Sequence, residues 1–384
     1  MSKKKKKAQK AKKEQKKNAT KRLRMLRWLS WTGVGIVTLL AVVLSAFWFP
    51  GDIYYVVTET YSFNASESAK IYLAVLLPTS GHYQEVLEPE ITWQGSWNSE
   101  IDGNLEIVWF EADLEAGDTA EAVIRYQVNL FQGEAQWSGE PAADADMMPS
   151  DTIQSDHPTL IDLADQLTVS GDAHQTAFQI FDFTNQHLDF PDTASTEEDV
   201  SALDALQAGS GGSQAHANLM AAISRAADLP AHVVSGMLMP ETVPFIPVTT
   251  HPAEAHTWVE VLTGDDWQAA DPSLSKHFYQ RALFGWMDGK HLVYETTSKL
   301  DEGFGSLVEA SGENDTLIGE MSAPLYFVAW SDAPVEGVTL TPAVTLWKIW
   351  DARYLMALSI IIILIMLNWL FEKDRKRSGS RHKN

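Results

Sequence analysis

The sequence predicts an α+β protein: an antiparallel β-sandwich, then a core in which helices give way to strands, all set between two membrane-spanning helices. Three observations carry this. Residues 53–131 alternate at the two-residue period of half-buried strands. Residues 160–226 switch to helical spacing, and 231–273 switch back. Two uninterrupted apolar runs bracket the rest.

Residues 1–27 form a basic tail, with 14 Lys and Arg against one Glu. The run 28–49, WLSWTGVGIVTLLAVVLSAFWF, holds no charge, and about 20 apolar residues cross a bilayer. Trp28, Trp31 and Trp48 stand near its ends, where interfacial aromatics belong. The SAFWFPGD that closes it is too bulky for a signal-peptide cleavage site. A second span is expected over 353–371, and a second basic tail over 372–384, with six Lys and Arg against two acids. The positive-inside rule then places both tails in the cytoplasm. Residues 50–352 lie on the extracytoplasmic (periplasmic) side of the inner, cytoplasmic membrane. The lysine-rich tail is read as a membrane flank, not as a nucleic-acid-binding arm.

Residues 50–145 are expected to form the sandwich. IYYVVTETYSF, KIYLAVLLP, LEIVWFEADL and EAVIRYQVNLF are its clearest strands, and EAGDT at 115–119 is a turn. Residues 136–158, rich in Pro, Asp, Ser and Ala, look like a linker into the core. That core is expected over 146–300, with an extension over 301–352. Leu160, Leu163, Ala164 and Leu167 predict one helix, and Ala177, Ile180, Phe181 and Thr184 a second. SALDAL at 201–206 begins a short third. After GSGG, one face made by Ala217, Leu219, Ala222, Ile223 and Ala226 predicts a helix from Ser213, and serine is a preferred N-cap. HTWVEV, TGDD and WQAADPS then predict a hairpin. It puts His256 early in one strand and Asp271 at the end of its neighbour, within reach of each other. Residues 278–295 and 324–330 supply further strand or helix-edge material.

Four stretches stand in order: GGSQAHANL (211–219), DLPAHVVSG (228–236), HTWVEV (256–261) and WQAADPS (267–273). Their order and spacing resemble the transglutaminase-like superfamily, whose fold is related to papain-type proteases. The family pattern has Gly-x-Cys at a helix start, then GIPAR-V-G, HAW-EV and W---DPT. The resemblance covers most of residues 53–295, since the upstream helices and the sandwich also look like bacterial members. It implies a triad: Ser213 at the position of the nucleophilic cysteine, His256 as general base, and Asp271 orienting the imidazole. Ser213 departs from the pattern, and so does His232, which stands where the family has Arg.

The chain has no cysteine. That excludes disulfides, thiolate metal sites and a thiol nucleophile. Serine is a poor substitute, because its hydroxyl does not ionise near neutrality and needs a base to take its proton as it attacks. The expected protein is therefore a membrane-anchored pseudoenzyme that binds a peptide, a partner protein or an envelope polymer in its cleft. The alternative is a Ser–His–Asp amide hydrolase or acyltransferase. No cofactor is expected, and no glycine-rich phosphate loop is present. His251, Glu254 and His256 lack the spacing of a helical metal motif, so no metal is expected either. His216, three residues after Ser213, is read as packed or solvent-facing. The formal net charge of −22 understates the acidity of residues 50–352, which argues against nucleic acid and favours basic or neutral partners.

Overall fold

The alternation of residues 53–131 folds into antiparallel strands, as expected. Strands β1 (Gly51–Ala65), β2 (Ala69–Leu77), β3 (Gln84–Val86), β4 (Glu90–Thr92), β5 (Ser96–Asp102), β6 (Leu105–Leu114), β7 (Thr119–Glu134) and β8 (Gln136–Ser138) come first. Helices α1 (Pro158–Leu167), α2 (Ala173–His187), α3 (Ala202–Ala208) and α4 (Ser213–Ala226) follow. Then come β9 (Ala231–Leu238), β10 (Pro247–Val248), β11 (Glu254–Thr263), β12 (Asp266–Ala270), β13 (Trp286–Asp288), β14 (His291–Thr296), β15 (Thr316–Ser322), β16 (Leu325–Ser331) and β17 (Val338–Asp351). The structure is a computed structural model. It describes residues 51–102, 105–190, 200–239, 247–248, 254–274, 283–296, 316–322, 325–332 and 337–351, with isolated positions in both flanks.

Two sheets make the sandwich. One has the order β10-β17-β1-β7-β13, with β3 and β4 also on β7; the other has the order β15-β16-β2-β6-β5. β7 turns Ala120, Ala122, Ile124, Tyr126, Val128 and Leu130 inward, and the residues between them point away from the core. The two sheets share one apolar core, in which Tyr61 of β1 meets Phe327 of β16 edge-on at 5.2 Å. The segment expected as an extension supplies β15, β16 and β17, which complete both sheets. β17 pairs with β1 from Ala65↔Val338 to Ile53↔Asp351. The helical core is therefore inserted between strands of one sandwich.

A third sheet, β14-β9-β11-β12-β8, belongs to the core. Helix α4 lies against its strands β11 and β9, with α1, α2 and α3 around it. This explains a departure from expectation. The spacing predicts one apolar face, yet every residue from Ala215 to Arg225 is buried. The alanines at 215, 217, 221 and 222 let neighbours close on all sides. Ser213 is not the cap either: Gly212 is the N-cap, with no side-chain hydrogen bond, and Ser213 is the first helical residue.

Sandwich and core meet around a buried carboxyl. Glu59 of β1 accepts hydrogen bonds from Tyr61 (2.9 Å), Tyr126 (2.7 Å) and, from the core strand β14, Tyr294 (3.3 Å). Burial pushes Glu59 up to about 7, against the pull of the three hydroxyls. A carboxyl raised in the folded state binds its proton more tightly there than in the unfolded chain. Its contribution to stability is complete below pH 4.5 and is lost as pH rises through about 7. Glu59→Gln, which mimics the neutral form, is expected to remove this slope. Above pH 7 the variant gains up to about 3 kcal/mol over wild type, from 1.36 kcal/mol per pKa unit. Urea midpoints at about pH 5 and about pH 8 check it, and a wild-type-to-variant difference that is the same at both would refute it.

Among the described residues, no helix is long and apolar enough to cross a membrane. Both predicted spans lie largely outside the described residues, as does His251.

Candidate functional site

The site is built on the hairpin β11–β12. Its turn is Thr263-Gly264-Asp265-Asp266, with Thr263 paired to Asp266 and Gly264 at φ 77°. This register sets His256 three residues into β11 and Asp271 just past the end of β12. The two side chains meet: His256 Nε2 lies 2.7 Å from Asp271 Oδ2, and both residues are buried. Ionised Asp271 only accepts, so His256 carries a proton on Nε2 and its Nδ1 is the remaining ring nitrogen.

Asp271 is held on every side. Its Oδ1 accepts from the backbone N–H (2.8 Å) and hydroxyl (2.6 Å) of Ser273. Asn185 of α2 donates to the carbonyls of Pro272 (2.7 Å) and Leu274 (3.2 Å), which pins the segment after it. A second imidazole, His291 Nε2, lies 2.9 Å from the same Oδ2 that His256 uses. Burial works against a charge on Asp271, but the two histidines outweigh it and hold the carboxyl well below the usual range.

Sequence reasoning missed His291. It opens β14 after the turn Asp288-Gly289-Lys290, in which Gly289 has φ 73° and packs so tightly that a Cβ would lie 2.6 Å from Ile53 Cδ1. The turn brings Asp288 Oδ1 to 3.0 Å from His291 Nδ1. The available signal was the dipeptide Asp-Gly, a turn marker, three residues before a histidine that starts an apolar run. Close approach of strands also fixes Gly236 on β9: a Cβ there would lie 2.1 Å from the Leu292 carbonyl and 2.7 Å from the Trp258 ring.

Ser213 begins α4, the helix that packs against the strand carrying His256. As the first helical residue it stands at the positive end of the helix dipole, which favours negative charge. Among the described residues, the His256 ring bonds to Asp271 and not to Ser213. His216 does not approach the hydroxyl as a base. It is buried, with Nδ1 2.8 Å from the Gly212 carbonyl and Nε2 3.3 Å from that of Leu188.

His232, where the resemblance expects Arg, makes a second, partly buried clamp. Its Nδ1 is 3.3 Å from Asp146 and its Nε2 is 2.7 Å from Glu260. Burial opposes the charge, yet the two carboxylates lift His232 to about 9. Glu260 also accepts from Tyr83 (2.7 Å), whose hydroxyl accepts from Trp258 Nε1 (2.9 Å). Trp258 in turn lies 6.1 Å from the His256 ring and 5.0 Å from the His291 ring. A sandwich residue, Tyr83, thus braces the wall of the site.

His256, Asp271 and His291 have the donor types of a metal site, with donor atoms within 4.8 Å of one another. The spacings fit protons better. A tetrahedral ion such as zinc, about 2.0–2.2 Å from each donor, would hold neighbouring donors about 3.3–3.6 Å apart. The observed 2.7 and 2.9 Å are N–H···O lengths.

A central helix headed by Ser213 thus packs on the hairpin that carries the His256–Asp271 pair. Residues 161–272 match the family model for the transglutaminase-like superfamily, so this segment is a transglutaminase-like core. No curated protein matches the sequence. Among solved structures, a candidate cysteine protease from Cytophaga hutchinsonii is 14% identical, over 78% of this chain and 99% of that one, with a TM-score of 0.47. The periplasmic domain of TgpA from Pseudomonas aeruginosa is 14% identical, over 60% of this chain and 90% of that one, with a TM-score of 0.30. A candidate protease from Parabacteroides distasonis is 12% identical, over 78% and 72%, with a TM-score of 0.26.

Proposed function

We propose that this is a membrane-anchored, extracytoplasmic transglutaminase-like protein whose site binds a ligand and does not react with it. The observation that carries this reading is the head of α4. Ser213 stands where the resemblance places the nucleophilic cysteine, and no hydrogen bond links it to His256. A thiol at a helix N-terminus ionises readily, whereas a hydroxyl needs the base in contact as it attacks. Oxygen also sits closer to the backbone than sulfur, and a misplacement of about 1 Å costs on the order of 100-fold. The His256–Asp271 pair is nonetheless retained, held by Ser273 and His291. Residues 50–352 hold 8 basic against 48 acidic residues, so a peptide, partner protein or envelope polymer with neutral or basic groups suits it best.

Anchoring is supported by the two apolar runs and their basic flanks. In the C-terminal run Ile362, Ile363, Ile365, Met366 and Trp369 are each about half exposed, which suits apolar surroundings.

The second reading, a Ser–His–Asp hydrolase or acyltransferase, is supported by the 2.7 Å bond between His256 and Asp271. A fluorophosphonate probe separates the two. The wild-type protein is expected to stay unlabelled at Ser213. Labelling that disappears in Ser213→Ala would establish the hydrolase instead.

A further inference from the structure

We infer that His291 is a positioning residue of this site: an imidazolium clamped between Asp271 and Asp288 that keeps the Asp271 carboxylate aimed at His256 Nε2. This rests on reading His256 and Asp271 as the family's pair, and not on whether Ser213 reacts.

His291 Nε2 faces Asp271 Oδ2 at 2.9 Å and Nδ1 faces Asp288 Oδ1 at 3.0 Å. Ionised carboxylates accept and do not donate. Both ring nitrogens must therefore carry hydrogen, which makes the ring a cation. A buried cation is tolerable only when paired, and here both pairs are made by a fully buried side chain. Burial opposes the charge, but Asp288 and Asp271 win and lift His291 to about 9. Asp288 is held in turn by the Lys290 backbone N–H at 3.0 Å and by Lys290 Nζ at 3.8 Å.

The result is a chain of alternating charge, Lys290–Asp288–His291–Asp271, that ends on the His256 ring. Its geometry settles which oxygen His256 meets. Ser273 fixes Oδ1 from one side, and His291 draws Oδ2 from the other. The carboxylate cannot turn away from His256 without breaking a charged hydrogen bond. His256 is thereby held with a proton on Nε2 and with Nδ1 turned away from the carboxylate. Rings 5.3 Å apart and inclined at 63° let both histidines reach one oxygen. The turn that carries Asp288 and His291 also joins a sandwich strand, β13, to a core strand, β14. The sandwich therefore helps to align the site.

The test is a proton–nitrogen correlation spectrum of the imidazole-labelled full-length protein at neutral pH. His291 is expected to show two protonated nitrogens, and His256 a proton on Nε2. In His291→Gln, the His256 signal is expected to move toward a mixture of the two ring tautomers. The same change in a Ser213→Cys background is expected to slow iodoacetamide alkylation by about tenfold or more. Should His291→Gln fail to fold, Asp288→Asn, which leaves Asp271 its partner, is expected to shift the His256 signal in the same direction. A single protonated nitrogen on His291 would overturn the clamp. A folded His291→Gln with unaltered His256 tautomer and unaltered alkylation would overturn the positioning role. One equivalent of transition metal in the wild type, lost in His291→Gln, would also overturn it. Labelling of wild-type Ser213 by fluorophosphonate would end the binding reading and leave this one standing.

Discussion

Asp271→Ala is expected to be among the most damaging single changes in the chain, costing about 3–5 kcal/mol of stability, because it strips a buried charge network of its shared member. Four hydrogen bonds end on this carboxylate, two from Ser273 and one each from His256 and His291. Without it, the His291 cation keeps only Asp288, and a buried cavity opens between two imidazoles. The pH dependence has a definite sign. Asp271 is held below its ordinary value in the folded state, so its contribution is present above about pH 4 and lost as pH falls. Urea titration at neutral pH should show the midpoint fall sharply. The wild-type protein should approach the variant as the pH drops toward acid. A loss under about 1 kcal/mol would mean that the network is solvated and weak.

Much of this was legible in the sequence, for physical reasons. Alternation revealed β1, β2, β6 and β7 because each has one face in a core. The hairpin β11–β12 was legible from HTWVEV, a Gly-Asp turn and WQAADPS. Once the hairpin was read, the proximity of His256 and Asp271 followed. The helices were legible at Leu160 and Ala164, and at Ala177, Ile180 and Phe181, all of which are buried.

What stayed hidden depends on partners distant in sequence. Nothing local in residues 338–351 says that they pair with residues 53–65. The resulting insertion of the core into the sandwich is therefore invisible to periodicity. The central placement of α4 was hidden because alanine fits a tightly packed interior as well as an exposed helix surface. The cap at Gly212 was hidden because serine is the better capping residue, and only the backbone path shows that the helix starts one position later. His291 was hidden because its role requires Asp271, 20 residues earlier, to sit beside it. His232 was noticed as a departure from the family's Arg. Its clamp between Asp146 and Glu260 explains it: a histidine held between two carboxylates is a cation too, and it occupies less space.

The proposed function requires that the His256–Asp271 frame be intact and lack only a thiol. Restoring the thiol tests it most directly. In Ser213→Cys, the helix N-terminus and the His256–Asp271 pair should depress the new thiol's pKa. Iodoacetamide at neutral pH should then modify position 213 about tenfold or more faster than a free thiol. His256→Ala in the same background should bring the rate back toward that of the free thiol. If the restored thiol reacts at the ordinary slow rate in a folded protein, the frame does not serve position 213, and the account is wrong.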